Sequence, residues 1–282
     1  MYELRSPSPL LAGVVERYWF VDARAAPLRL QVDVFVDGQA DLVFNFGAPW
    51  QREVPGRAPA LLHRSALDAQ RRHPLRVRQA GAVHLVGVRF ALGGLGAVSP
   101  HPVGRWTDQT PPPEAVWGPA AAALEAALRA APDIDAQAAL LDAHLIAHLQ
   151  PQGERRAAAG VVAALQAAPP RTTVGALAQG LGLSPRALER LCDRQLGLSP
   201  RLLLRVVRFQ RALRALMHGP AGTLTTLAHE VGYFDQAHFV REFRALAGGA
   251  PGAHRAYFPP AAPADFAPNL VAYMQAEAEA PG

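Results

Sequence analysis

Residues 174–197 read VGALAQGLGLSPRALERLCDRQLG, and residues 223–248 read TLTTLAHEVGYFDQAHFVREFRALAG. Both stretches carry the same punctuation. In the first, Val174-Gly175-Ala176-Leu177-Ala178 opens a short helix and Gly182-Leu183 makes a turn. Ser184 then suits the N-cap, where its hydroxyl accepts from an orphan amide, and Pro185 suits the first helical position. A second helix is expected from Arg186 to Gln195. In the other stretch Thr223–Val231 forms a helix, Gly232 the turn, and Asp235 caps a helix running from Gln236 to Ala245. A helix, a glycine-containing turn and a capped second helix make a helix-turn-helix unit, and here two stand in tandem. No Gly or Pro interrupts Arg201 to about His218, so one continuous helix should join them. Its 18 or so residues span about 27 Å at 1.5 Å each.

The side chains on the two capped helices divide by face. Leu188, Leu191 and Cys192 fall on one side of the first, and Phe239 and Phe243 on one side of the second. The opposite sides carry Arg186, Glu189, Arg190 and Arg194, then Gln236, His238, Arg241 and Arg244. Such groups meet base edges or phosphates when a helix lies in the major groove. Arg201, at the head of the connecting helix, joins this set. Charge follows the same division. Residues 171–255 hold twelve Arg against five acids, a balance of +7, so the remainder of this +5 chain carries −2. A basic module beside a mildly acidic one fits a polyanion-binding part and a partner that does not bind polyanions. All 28 basic residues are Arg, which with the abundant Ala, Gly and Pro points to a GC-rich genome.

Residues 156–258 resemble the DNA-binding domain of the AraC/XylS transcriptional regulators. The resemblance is carried by Ala176-Leu177-Ala178, Leu183-Ser184-Pro185, Leu188, Arg190, Gly197-Leu198-Ser199-Pro200 and Arg208. It continues through Leu227-Ala228, Gly232-Tyr233, Asp235, His238-Phe239, Arg241, Phe243-Arg244, Gly248, Pro251 and Arg255. Cys192 stands where that family usually has a core aromatic, and Ala250 replaces a usual Thr or Ser before Pro251. Gly249 should loosen the turn there. The resemblance implies that Arg186, Glu189 and Arg190, then Gln236, Ala237, His238 and Arg241, read bases in double-stranded DNA. Each has a plainer reading. An exposed Arg is ordinarily solvated, Arg190 and Arg194 can pair with Glu189 or Asp193, Ala237 offers only a thymine-methyl contact, and His238 can support its own unit's core. Cys192 reads as a buried structural residue.

Ahead of these helices the chain reads differently. Val14–Val21, Leu30–Val36, Asp41–Phe46 and His84–Phe90 are strand-like runs rich in Val, Phe, Tyr and Trp. Asp37-Gly38 suggests a hairpin between two of them, and Arg76-Val77-Arg78 an edge strand. From about Pro119 the period becomes helical through Leu124, Leu128, Ile134, Leu141, Leu145 and Leu149, broken near Pro132. Gln150-Pro151-Gln152-Gly153 then breaks the chain. Tyr18-Trp19, Asp37-Gly38 with Asp41-Leu42-Val43-Phe44, Gly87-Val88-Arg89-Phe90 and Val116-Trp117-Gly118 resemble a poorly characterised domain that precedes AraC-type DNA-binding domains. The expected class is α+β. Residues 1–153 form a β-rich sensor, effector or dimerisation domain ending in helices, 154–258 an all-α DNA-binding domain, and 259–282 a Pro-rich, loosely docked tail from which Phe266, Leu270, Val271 and Tyr273 can pack back.

Enzyme readings find little to stand on. There is no Gly-x-Ser-x-Gly elbow and no phosphate-binding loop, and Gly93-Gly94-Leu95-Gly96 is a lone cluster. His63, His73, His84 and His101 are scattered. His144 and His148 have a metal-gripping i, i+4 spacing but no evident third ligand. One cysteine excludes an intrachain disulfide and cysteine-rich zinc sites. Trp19, Trp50, Arg89, Trp106 and Trp117 offer either a pocket with a cationic anchor or ordinary core positions. Met1–Pro9 lacks the pattern of a signal peptide, and no apolar run approaches the length of a membrane span, so a cytoplasmic location is expected. The expected function is an effector-responsive transcription regulator that binds DNA without enzymatic activity or cofactor. A small-molecule effector, RNA polymerase and a second copy of the chain are its further candidate partners. The alternative is an enzyme domain fused to a DNA-targeting module.

Overall fold

The computed structural model of the chain describes residues 2–54, 56, 61–218, 223–252 and 270–273. The first half is an antiparallel sheet built on two long strands. In chain order its strands are β1 (Tyr2–Arg5), β2 (Val15–Val34), β3 (Asp41–Asn45), β4 (Trp50–Glu53), β5 (Leu61–His63), β6 (Ala66–Asp68) and β7 (Leu75–Phe90). The order across the sheet is β1-β2-β7-β3-β6, with β4 pairing with both β5 and β7. Tyr18 and Phe20 on β2 lie opposite Val88 and Val86 on β7, which in turn face Leu42 and Phe44 on β3. With a period of two, these side chains share one face, and all six are buried.

That face is covered by α1 (Pro113–Trp117), α2 (Pro119–Ala130) and α3 (Ile134–Ala147). Leu124, Leu128, Leu141 and Leu145 close the core with Trp106 and Trp117. The break near Pro132 is as expected, and Asp133 caps α3 by accepting from the Ala136 amide at 2.8 Å. The chain turns again at Gln150-Pro151, and α4 (Gln152–Ala167) begins directly after it.

The remaining helices are α5 (Val174–Gly180), α6 (Pro185–Leu196), α7 (Pro200–His218), α8 (Leu224–Glu230) and α9 (Gln236–Ala247). One strand of the tail, β8 (Leu270–Tyr273), pairs antiparallel with β2. The rest of the tail, including Phe266, lies outside the described residues, as does Arg255.

Three strand expectations are corrected. Asp37-Gly38 does not close a hairpin, because β7 lies between β2 and β3 and pairs with both. Arg76-Val77-Arg78 is no edge: it lies within β7, with β2 on one side and β4 on the other. The run Leu30–Val36 stops pairing at Val34. Phe35 and Val36 leave the sheet and bury themselves among Val206, Phe209, Phe243 and Leu246 of α7 and α9.

Candidate nucleic-acid interface

Each helix-turn-helix unit is held by capping at its start. Ser184 accepts from the Ala187 amide at 3.2 Å, and Asp235 accepts from the His238 amide at 2.6 Å. Thr173 and Thr223 do the same for α5 and α8, to the amides of Ala176 and Thr226. These bonds satisfy amides that a helix start leaves without intrahelical partners. The turn at Gly232 has φ +89°, and a Cβ there would meet Pro170 at 2.6 Å. A side chain is excluded on both counts.

Below the caps, the apolar stripes seat the helices. Leu188, Cys192 and Leu196 of α6 pack with Val161 and Leu165 of α4 and with Leu177 and Leu203. The Cys192 thiol is fully buried, and burial pushes its pKa up to about 12, as suits a core side chain rather than a reactive thiolate. In the second unit Phe239 and Phe243 stack edge-on at 5.7 Å, and Phe209 of α7 meets Phe243 at 5.1 Å.

The opposite faces are open. Arg186, Glu189, Arg190 and Arg194 on α6 are exposed, as are Arg201 at the head of α7 and Gln236, Ala237, Arg241 and Arg244 on α9. Among the expected residues, Arg194 turns toward Glu154 of α4 at 3.3 Å. Thr225 donates to Gln236 Oε1 at 2.7 Å, which leaves the amide nitrogen as the outward group. His238 is only partly exposed. Its ring stands edge-on to Tyr233 at 5.3 Å, and its Nε2 lies 3.9 Å from Glu242. Both contacts lie within its own unit.

A cleft of about 640 Å³ separates α7 from α9. Arg201, Arg205 and Arg208 line it from one side, and His238, Arg241 and Glu242 from the other. Sequence reasoning passed over Glu242. It is buried, with Arg205 Nε at 3.0 Å and Arg208 at 3.9 Å. These pairs tie α9 to the connecting helix α7, and an acid placed three residues after Phe239 on an apolar stripe was the available signal. Of the other basic groups on α7, Arg211 is committed to the Ala168 and Gln166 carbonyls at the end of α4.

The first half meets the C-terminal ends of both α6 and α9. Val36 donates its amide to the Leu246 carbonyl at 2.9 Å, near the C-terminus of α9. Thr107 donates its hydroxyl to the Gly197 carbonyl just past α6. Carbonyls at helix ends have no intrahelical donor, so the sheet domain caps both helices from behind. The Phe35–Gly38 segment is itself pinned, since Arg89 ion-pairs with Asp37 and Asp41 and donates to Gln39. Burial opposes the Arg89 charge, but the two carboxylates outweigh it and raise its pKa further.

Arg89 does not anchor a tryptophan pocket. Arg89 is spent on these carboxylates. Trp50 donates to the Arg64 carbonyl, Trp117 donates to the Val98 carbonyl, and Trp19 lies flat against Gly87. Among the described residues no group of three metal-ligating side chains gathers, and no helix is long and apolar enough to cross a membrane.

Residues 177–257 match the family model described as a helix-turn-helix domain. With two units, their caps and the connecting helix in place, the assignment follows. This segment is an AraC-type DNA-binding domain. A second model, a domain of unknown function (DUF6597), matches residues 4–112, so the AraC-type domain is preceded by the domain that the sequence led us to expect. No curated protein sequence matches the chain.

Among solved structures, the C-terminal domain of AraT, a response regulator from Geobacillus stearothermophilus, is 26% identical. The match covers 38% of this chain and 85% of that one, with a TM-score of 0.33. A probable AraC family transcriptional regulator from Rhodopseudomonas palustris is 28% identical over 37% of this chain and 99% of its own, also with a TM-score of 0.33. ToxT from Vibrio cholerae aligns over 90% of this chain and 98% of its own at 7% identity, with a TM-score of 0.47. The chain carrying this AraC-type domain is a DNA-binding transcription regulator.

Proposed function

We propose that residues 154–258 read two successive major-groove segments, α6 in one and α9 in the next, while residues 1–153 control how the two helices are presented. The carrying observation is that both capped helices bury an apolar stripe against their surroundings and turn a basic stripe outward, while one 19-residue helix, α7, joins them. At 1.5 Å per residue α7 is about 28 Å long, against roughly 34 Å between groove segments on one face of a duplex. In this reading Arg186, Glu189, Arg190, Gln236, Ala237 and Arg241 face bases. Arg194, Arg201 and Arg244 serve phosphates, and His238 holds the second unit in shape.

Control from the first half is supported by the shared core and the two C-terminal caps. An effector or a second copy of the chain bound to the sheet domain would act through those contacts, and RNA polymerase is the natural partner of the DNA-bound form. Residues 259–282 are the tail of this arrangement.

Binding-site selection with the full chain, repeated with Arg190→Ala and Arg241→Ala, tests the reading. If each arginine makes a bidentate contact to a guanine, each loss costs about 1–3 kcal/mol and relaxes one base position. The two relaxed positions should lie roughly 10 base pairs apart. Uniform weakening over all sequences would instead make both arginines phosphate contacts.

A further inference from the structure

We propose that Phe234 reads the C5-methyl group of a thymine beside the segment entered by α9, a specificity contact distinct from the Arg and Gln donors. The inference rests on the reading of α9 as a DNA-reading helix. Among the described residues three large apolar side chains stand exposed, Tyr2, Leu10 and Phe234, and Phe234 is the most open at 75%. Tyr2 lies on β1 and Leu10 in the short turn after it. Phe234 sits in the turn of the second unit, directly before the N-cap Asp235.

The backbone there is fixed. Tyr233 points inward and is fully buried, packed on Phe239 at 5.1 Å. Its amide donates to the Ala228 carbonyl at 2.8 Å, and its carbonyl accepts from Arg171 at 3.3 Å. With residue 233 held inward, the ring of residue 234 stands outward at the N-terminal end of α9.

The neighbours of this ring identify its partner. Gln236 and Ala237 are exposed in the next turn, and Thr225 and Thr226 are exposed on α8. A lone aromatic among hydroxyl, amide and guanidinium groups is no apolar patch of the kind that seats a protein partner. It continues the polar, cationic surface that α9 turns outward. The apolar feature of a major groove is the thymine methyl, which Phe can contact, and the N-terminal residues of a recognition helix are those that approach base edges.

The experiment uses the full chain and a duplex obtained by binding-site selection. Each thymine under the α9 half is replaced in turn by uracil, which removes only the methyl group. At one position the wild-type chain should bind about fourfold more weakly, the worth of one buried methyl. Phe234→Ala should weaken binding to the thymine duplex by a similar factor and abolish the thymine–uracil difference, while Phe234→Leu should retain part of it.

The proposal is overturned if no uracil substitution matters, if the selected α9 half contains no thymine, or if Phe234→Ala still discriminates. Loss of transcription with DNA binding and discrimination intact would also overturn it, in favour of a polymerase contact. A selection that returns no preferred sequence removes the α9 reading, and this inference with it. A selected site that is silent to uracil removes only this inference.

Discussion

His144 stands one helical turn before His148 on α3, with the two rings 4.3 Å apart and the Trp117 indole edge-on at 5.9 Å. Burial, aided by the neighbouring His148, holds its pKa down to about 4 from the usual 6.5. Below pH 6.5 the unfolded chain therefore takes up a proton that the folded chain refuses. This contribution to stability is intact above pH 6.5 and is lost as pH falls toward 4. Urea unfolding should show stability dropping through that window, and His144→Gln should flatten the drop. An unchanged pH slope in the variant would show that the site does not titrate as described. The i, i+4 spacing alone suggested a metal grip, because spacing reports proximity but not the burial that disfavours charge. Glu242 was missed for the related reason that sequence shows an acid but not the arginines of α7 that fold against it.

At the level of elements, the helices were the most legible part of the chain. Ser184 and Asp235 each precede a run with a clear apolar stripe, and a cap is a local interaction that sequence can display. Asp235→Ala should therefore cost about 1 kcal/mol of stability and relax base preference under α9, whereas Asp235→Asn should retain most of both. Equal urea midpoints for Asp235→Ala and the wild type would mean that the cap contributes nothing. Strand runs were found, but their pairing was not. Whether Asp37-Gly38 closes a hairpin depends on whether β7, some forty residues later in sequence, comes between its flanks, and nothing local records that. Arg76–Arg78 read as an edge strand from its short alternation alone. In fact Arg76 pairs with Asp33 of β2 at 2.6 Å and Arg78 with Glu53 of β4 at 2.9 Å, so cross-strand partners account for the charges. The candidate site was half legible. The outward residues of α6 and α9 follow from helical period, but Phe234 precedes the helix and belongs to no stripe.

Across the whole molecule, the apolar faces of the second unit are not closed by C-terminal residues alone. Phe35 and Val36 are fully buried among them, so a fragment beginning near Glu154 leaves their place empty and opens the apolar surface they cover to solvent. Emptying such a site costs about 3–5 kcal/mol. The fragment should keep the sequence preference of α6 and lose much of that under α9, and amides of α9 should exchange faster than in the full chain. A fragment selecting the full-length site at full affinity would show that Phe35 and Val36 are dispensable. The twelve arginines between residues 171 and 255 all lie in the fragment, so at about five phosphate contacts both forms should show a log K against log salt slope near −4.5. The placement of Phe35 and Val36 also bears on how such a regulator is inherited. A recombination event that joins residues 154–258 to a foreign N-terminal domain discards two side chains buried in the core of the second unit. Such an exchange keeps that core closed only where the incoming domain brings its own apolar plug to the same spot.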